Sequence, residues 1–386
     1  MRPLALLTYS TKPRGGVVHT LALAEALADL GVPVQVVALG EPGTGFFRPV
    51  RVPSTLIPGP VGTTTLEEKV AGGIDCLEAG LADLVRRQPD VVLHAQDCMS
   101  ARAAARVRDS GTGVPVVRTV HHVDDFSTQM LMDCQRQAIL EPDVVLAVTE
   151  VWREILQRDH GVRAGVVPNG VDVARFRHAD RARAAELRAQ VAPDGRPLVL
   201  AVGGVEPRKG SDSLVRALAR LEGRRPVLAV VGGHSFQDHR AYKEAVLAEL
   251  PELGLELGTD VVLVGTVPEQ DMAPWYAAAD VLAFPSVKEG FGLAVLEAMS
   301  AGVPVVTSDL PVFREYLVDG RDALLVPVGD VDGLAAALDA ALHDRPLRER
   351  LVAAGRDVAG RFTWLSSARQ HLAVYDRLPA AVALPA

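Results

Sequence analysis

Phe284-Pro-Ser-Val-Lys-Glu-Gly-Phe-Gly-Leu-Ala-Val-Leu-Glu-Ala-Met-Ser-Ala-Gly-Val-Pro-Val-Val306 reads as a strand, a loop, a helix and a second strand. The apolar run 281–284 ends at Pro285, a loop with Lys288, Glu289 and two glycines follows, and a helix opens near Gly292. A second apolar run, 303–307, comes directly after the helix. Continuous apolar strands alternating with helices specify a parallel sheet covered on both faces.

The same alternation extends in both directions. Toward the N terminus, buried strands are predicted at 4–8, 34–38, 91–94, 114–119, 144–148 and 165–167, with helical stretches such as 18–30, 77–87 and 127–140. A second series covers 198–202, 227–231, 261–264, 281–284, 303–307 and 324–326, with helices such as 213–221 and 294–301. Between the series the chain is turn-like, then polar and Arg-rich. The expected fold is α/β, with two doubly wound domains facing across a cleft. Their spans are 1–170 and 196–362, joined by a linker at 171–195. The remaining segment, 363–386, carries an amphipathic helix at about 366–378 that could stay on the second domain or return to the first.

Composition agrees with this division. The chain has 386 residues, too many for one hydrophobic core, and is 48% hydrophobic and 23% charged. Its formal net charge is -8 and no basic run interrupts it, which argues against a nucleic-acid partner. Lysine occurs only at positions 12, 69, 209, 243 and 288, so each one stands out against the many arginines. Cys76, Cys98 and Cys134 are scattered and lack metal-type spacing, which points to a reducing compartment. The apolar stretch 4–7 is too short for a signal-peptide core, and no run approaches a membrane span. A cytoplasmic protein without a transmembrane segment is expected, with peripheral membrane contact left open.

In the opening stretch, N–H groups at the helix start near Phe291, Gly292 and Leu293 would favour an anionic phosphate. Carboxylates beside a phosphate make sense if Glu289 and Glu297 accept hydrogen bonds from sugar hydroxyls. Gly203-Gly-Val-Glu-Pro-Arg-Lys-Gly-Ser211 follows another strand and places Arg208 beside Lys209, a pair suited to clamping a diphosphate. Pro13-Arg-Gly-Gly-Val-Val-His19 is a weaker phosphate-approach turn, through Gly16, and lacks dinucleotide and Walker spacings. Arg118-Thr-Val-His-His-Val-Asp-Asp125 brings His121 or His122 to a strand end, without the third partner a metal site needs. Pro168-Asn-Gly-Val-Asp172 closes a strand with a tight turn.

Together these segments resemble the GT-B glycosyltransferases, specifically the retaining glycosyltransferase family 4, also called glycosyl transferases group 1. The hallmark is Glu, seven residues, then Glu, present as Glu289 and Glu297. The resemblance extends to Gly15-Gly16, Thr119-Val-His121, Pro168-Asn-Gly-Val-Asp172 with Phe176, and Pro207-Arg-Lys-Gly210. It continues through Gly265-Thr-Val267, Trp275-Tyr-Ala-Ala-Ala-Asp280 and Phe362-Thr-Trp364. It implies two Rossmann-like domains, the first for an acceptor and the second for a nucleotide-sugar donor, with the last helix crossing back to the first. It also implies that Lys209 and Arg208 hold the diphosphate, that backbone of Phe291, Gly292 and Leu293 meets phosphate, and that Gly290 belongs to the same donor-binding loop. Glu297 would take the ribose hydroxyls, Gly265, Thr266 and Val267 would border the base, Glu289 would grip the donor sugar, and His121 would lie by the reacting centre. In one respect the chain departs from the pattern: many members have arginine where this chain has Gly204.

The expected activity is transfer of a hexose-type sugar from a nucleoside diphosphate to a small-molecule, glycan or lipid-linked acceptor. Fixed cations and helix N–H groups can stabilise the leaving diphosphate, so neither metal nor cofactor is expected. With no obvious carboxylate nucleophile, retention would follow front-face substitution. The alternatives are a sugar-nucleotide epimerase of the same architecture and a catalytically weak nucleotide-sugar sensor.

Overall fold

The computed structural model describes residues 2–41, 43–233 and 238–378. The chain forms two compact units, the first containing residues up to Gly170 and those from Trp364 onward, the second Val171–Thr363. Both are α/β and built on parallel sheets.

In the first unit the strands are β1 (Leu4–Thr8), β2 (Val34–Leu39), β3 (Ser54–Ile57), β4 (Val92–Ala95), β5 (Val116–Val120), β6 (Val144–Ala147) and β7 (Gly165–Val166). They lie in the order β3-β2-β1-β4-β5-β6-β7. All five residues of β1 are buried, as befits an inner strand with helices on both faces. The edge strand β3, half exposed, has no counterpart among the predicted strands, because four residues at a sheet edge carry too little apolar pattern to register. The helix predicted at 77–87 begins much earlier, at Leu66. A capping box starts it, with Thr65 accepting from Glu68 N and Glu68 bonding back to the Thr65 N–H.

In the second unit the strands are β8 (Leu198–Val202), β9 (Val227–Val231), β10 (Val261–Gly265), β11 (Val281–Phe284), β12 (Val305–Ser308) and β13 (Leu324–Val326). Their order is β10-β9-β8-β11-β12-β13. Strand order reverses between β8 and β11 here and between β1 and β4 in the first unit. At such a switch point the loops leaving neighbouring strands diverge and open a crevice.

Residues 171–195, expected as a linker, are part of the second unit. They form the helices Val173–Arg177 and Arg181–Val191. The polar, Arg-rich composition that reads as a linker has a tertiary purpose. Arg183 holds Asp271 at 3.1 and 2.9 Å, Arg188 holds Asp280 at 2.7 Å, and Arg175 pairs with Glu269. The terminal helix spans Trp364–Tyr375 and packs in the first unit against the helix Gly15–Asp29, where Ala368 and Tyr375 join the core. Residues 379–386, the end of the segment assigned to that helix, lie outside the described residues. Among the described residues, no helix is long and apolar enough to cross a membrane.

Candidate nucleotide-sugar site

Two loops of the second unit meet at the switch point. The loop after β8 runs through Gly203 and Gly204 into a 3₁₀ turn, Pro207–Lys209, and Gly210 caps the helix Ser211–Arg220. The loop after β11 runs from Pro285 to Gly292 and opens the helix Leu293–Ala301. The backbone ties them together: Val287 N–H donates to Arg208 O at 2.8 Å. A Cβ on Gly210 would sit 2.1 Å from Pro285 O, so only glycine lets the loops approach this closely.

Their side chains form one charged cluster. Lys209 Nζ donates to Glu289 Oε1 at 2.7 Å, Arg208 Nη1 donates to the same oxygen at 3.1 Å, and Ser286 Oγ at 3.0 Å. The Lys209 ammonium also lies 4.4 Å from the centre of the Phe284 ring. Only 9% of the Glu289 side chain and 17% of the Lys209 side chain is exposed, so the pair is little screened. Burial works against ionisation of Glu289. The charges of Lys209 and Arg208 and the hydrogen bonds from Lys209 and Ser286 outweigh it and hold the carboxyl down to about 2. Burial lowers the Lys209 ammonium from its usual range, against the pull of Glu289.

The helix Leu293–Ala301 starts at Gly292, whose φ of 88° belongs to the left-handed region. No side chain caps this start and its first turn holds no acidic residue, so its positive end is available to an anion. An aromatic floor fixes it: Tyr316 Oη donates to Phe291 O at 2.7 Å and stacks on the Phe291 ring. Glu297 lies on this helix and accepts from Tyr276 Oη at 2.6 Å on Oε2. Burial raises the Glu297 carboxyl above its usual range, against that hydrogen bond.

The neighbouring strand ends bring bare backbone. Gly232 N–H donates to Gly265 O at 2.9 Å, and a Cβ on Gly233 would meet Thr266 Oγ1 at 2.1 Å. Thr266 is exposed and Val267 half-buried. The loops after β9 and β10 therefore interlock through glycine.

In the first unit the switch point brings other expected residues together. A Cβ on Gly16 would lie 4.0 Å from His121 Cδ2, and His121 Nε2 bonds Gln96 Oε1 at 3.1 Å. His122 turns instead to Asp124, at 3.3 Å. Burial, with His19 and Arg118 nearby, keeps His121 well below the usual imidazole range and so neutral. Gln96 and Tyr276 were not singled out from sequence. The only signal for either was its place, Gln96 just past a buried strand and Tyr276 inside a family signature.

A wider depression of about 670 Å³ lies at the opposite ends of β8 and β9, lined by Arg196, Arg220, Arg224 and Arg225. Several of these arginines are already paired with Asp194, Asp260 or Asp332, and parallel sheets bind ligands at the other end. Among the described residues, no group of three His, Cys, Asp or Glu side chains is arranged to hold a metal ion.

Two families match the sequence, Glycosyltransferase Family 4 over residues 13–175 and Glycosyl transferases group 1 over residues 183–358. A D-inositol 3-phosphate glycosyltransferase of Kribbella flavida is 32% identical, over 97% of this chain and 95% of its own length. A phosphatidyl-myo-inositol mannosyltransferase of Mycolicibacterium smegmatis is also 32% identical, over 99% of this chain and 95% of its own. Sucrose-phosphate synthase from Thermosynechococcus elongatus has the same fold, with a TM-score of 0.82 at 23% identity over 98% of this chain and 99% of that one. So does Anabaena HepE, solved with UDP and glucose, with a TM-score of 0.82 at 19% identity over 98% of this chain and 100% of that one.

Proposed function

The chain belongs to glycosyltransferase family 4, an enzyme family of GT-B fold that uses nucleotide sugars, and from that premise we propose a metal-independent, retaining transfer with the donor bound in the second unit. The observation that carries this reading is the Arg208–Lys209–Glu289 cluster beside an uncapped helix start. A nucleoside diphosphate needs fixed positive charge at its phosphates, and its sugar needs an anionic acceptor close by.

Each residue takes a chemical part. Lys209 and Arg208 neutralise charge that grows on the β-phosphate as the glycosidic bond breaks, and the N–H groups opening the helix Leu293–Ala301 add to them. Glu289, held anionic, orients the sugar hydroxyls, while Glu297 orients the ribose. The backbone of Gly265, Thr266 and Val267 borders the base. In the first unit, His121 is neutral and held by Gln96, and it is the residue there assigned to the reaction. With Glu289 committed to two cations, attack from the leaving-group face is the favoured route to retention, and the departing phosphate accepts the acceptor's proton.

The named relatives act on a D-inositol phosphate and on a phosphatidylinositol, so a phosphorylated polyol is the first acceptor class to test. Thermal shift with UDP, GDP and ADP selects the base, since a ligand at a hundred times its Kd stabilises by about 2.7 kcal/mol. Donor consumption is then followed with and without inositol phosphates. Acceptor-dependent release of nucleoside diphosphate is the expected result. An altered sugar without acceptor would indicate an epimerase, and binding without turnover a sensor.

A further inference from the structure

Tyr276 lies in the helix Glu269–Ala278 and is completely buried. Its ring meets Phe176 edge-on with centroids 5.4 Å apart, and Phe176 comes from the short helix Val173–Arg177. The ring is thus fixed from a second element. Its hydroxyl donates to Glu297 Oε2, at 2.6 Å.

That contact is more than core filling. A phenylalanine would fill the same space, whereas the hydroxyl brings a short charge-assisted bond to a carboxylate at the donor site. Among the described residues, no protein group bonds the other oxygen, Glu297 Oε1, and Glu297 remains half-buried rather than sealed. Arg175 and Glu269 are the charged groups that also act on Glu297, with opposite effects. They pair with each other, which leaves the phenol as the direct anchor.

We propose that Tyr276 is a positioning residue of the donor site, whose hydroxyl fixes the Glu297 carboxylate so that Oε1 meets a ribose hydroxyl of the nucleotide. This rests on the reading of Glu297 as the ribose-binding carboxylate. A carboxylate with a free rotor would pay for its alignment each time a nucleotide binds, while one already held by a buried phenol does not. The consequence is selectivity for ribose over deoxyribose, because a site built to bond a hydroxyl is left unpaired when that hydroxyl is missing.

The test is titration calorimetry on the full chain with whichever of UDP, GDP and ADP binds best, alongside its 2′-deoxy and 3′-deoxy forms. The wild type should prefer the ribonucleotide over one deoxy form by about tenfold or more. Tyr276→Phe should weaken the ribonucleotide by about tenfold and leave that deoxy form unchanged, so that the preference collapses. An unchanged preference, or equal weakening of both ligands, overturns the proposal. Glu297→Gln separates the two readings. If it keeps the full preference, the ribose role of Glu297 falls; if it abolishes the preference while Tyr276→Phe retains it, only the positioning role falls. Should Tyr276→Phe not fold, Phe176→Leu loosens the same ring and should give a smaller loss of preference, and no loss there also overturns the proposal.

Discussion

Lys209 and Glu289 stand 80 residues apart in the sequence and 2.7 Å apart in space, the ammonium donating directly to Oε1. The cation proposed to meet the diphosphate is thus already engaged by the carboxylate proposed to meet the sugar. On the proposed reading, donor binding would share Lys209 between the two anions, and the ion pair would set where sugar and phosphate lie relative to each other.

Lys209→Ala should lower kcat on the order of 10²-fold, as removal of one electrostatic stabiliser commonly does. It should also leave Glu289 buried with one cation fewer, so its carboxyl rises from about 2 and the acid limb of kcat/KM moves to higher pH. Steady-state kinetics across pH checks both. A raised KM at unchanged kcat would leave Lys209 with binding alone.

Gly204 should not accept the arginine that the family resemblance would place there. A Cβ there would lie 2.9 Å from Glu206 Oε1 and 2.9 Å from Gly233 O, and the second of these is backbone. Gly204→Arg is expected to cost about 1–3 kcal/mol, lowering the melting temperature by several degrees without raising turnover. Calorimetry and kinetics on the purified variant decide the matter, and a stable, faster enzyme would show that the loop has room.

Acid should weaken the first unit before carboxylate titration begins. His19 is pushed down to about 3 and His371 to about 4, both by burial first, and His94 is lowered as well. In the unfolded chain a histidine binds its proton near pH 6.5, so the unfolded state holds more protons below that pH. Their contribution is complete above about pH 6.5 and is lost as pH falls toward 4, at up to about 1.4 kcal/mol per pH unit for each histidine. Denaturant melts at pH 7, 6 and 5 should show the decline, and His19→Leu should flatten it. A flat wild-type profile would mean that the buried ring is easily hydrated.

Transfer should survive a chelator. Arg208, Lys209 and the helix start at Gly292 already supply positive potential where the diphosphate is proposed to sit. Activity in excess EDTA should match the untreated enzyme, and a loss restored by Mg²⁺ or Mn²⁺ would refute metal independence.

The alternation of strand and helix is legible in the sequence because strands buried on both faces are unbroken apolar runs, as in Leu4–Thr8 and Val281–Phe284. The chemistry at the strand ends is legible for a similar local reason. Gly210 and Gly292 are dictated by backbone geometry, and Lys209 and Glu289 stand beside them in the same short loops. Residues 171–195 read as a linker because their arginines answer carboxylates some 90 positions away, which no local pattern records. The edge strand Ser54–Ile57 leaves no such signal because two of its four residues are exposed. Tertiary structure alone decided that Lys209 meets Glu289, Gln96 meets His121 and Tyr276 meets Glu297. The first two meetings follow from strand order, which sets β8 beside β11 and β4 beside β5; the third follows from how two helices pack on the same sheet. Propensity and hydrophobic period act over a few residues, whereas adjacency in a parallel sheet is fixed by the burial of the whole core.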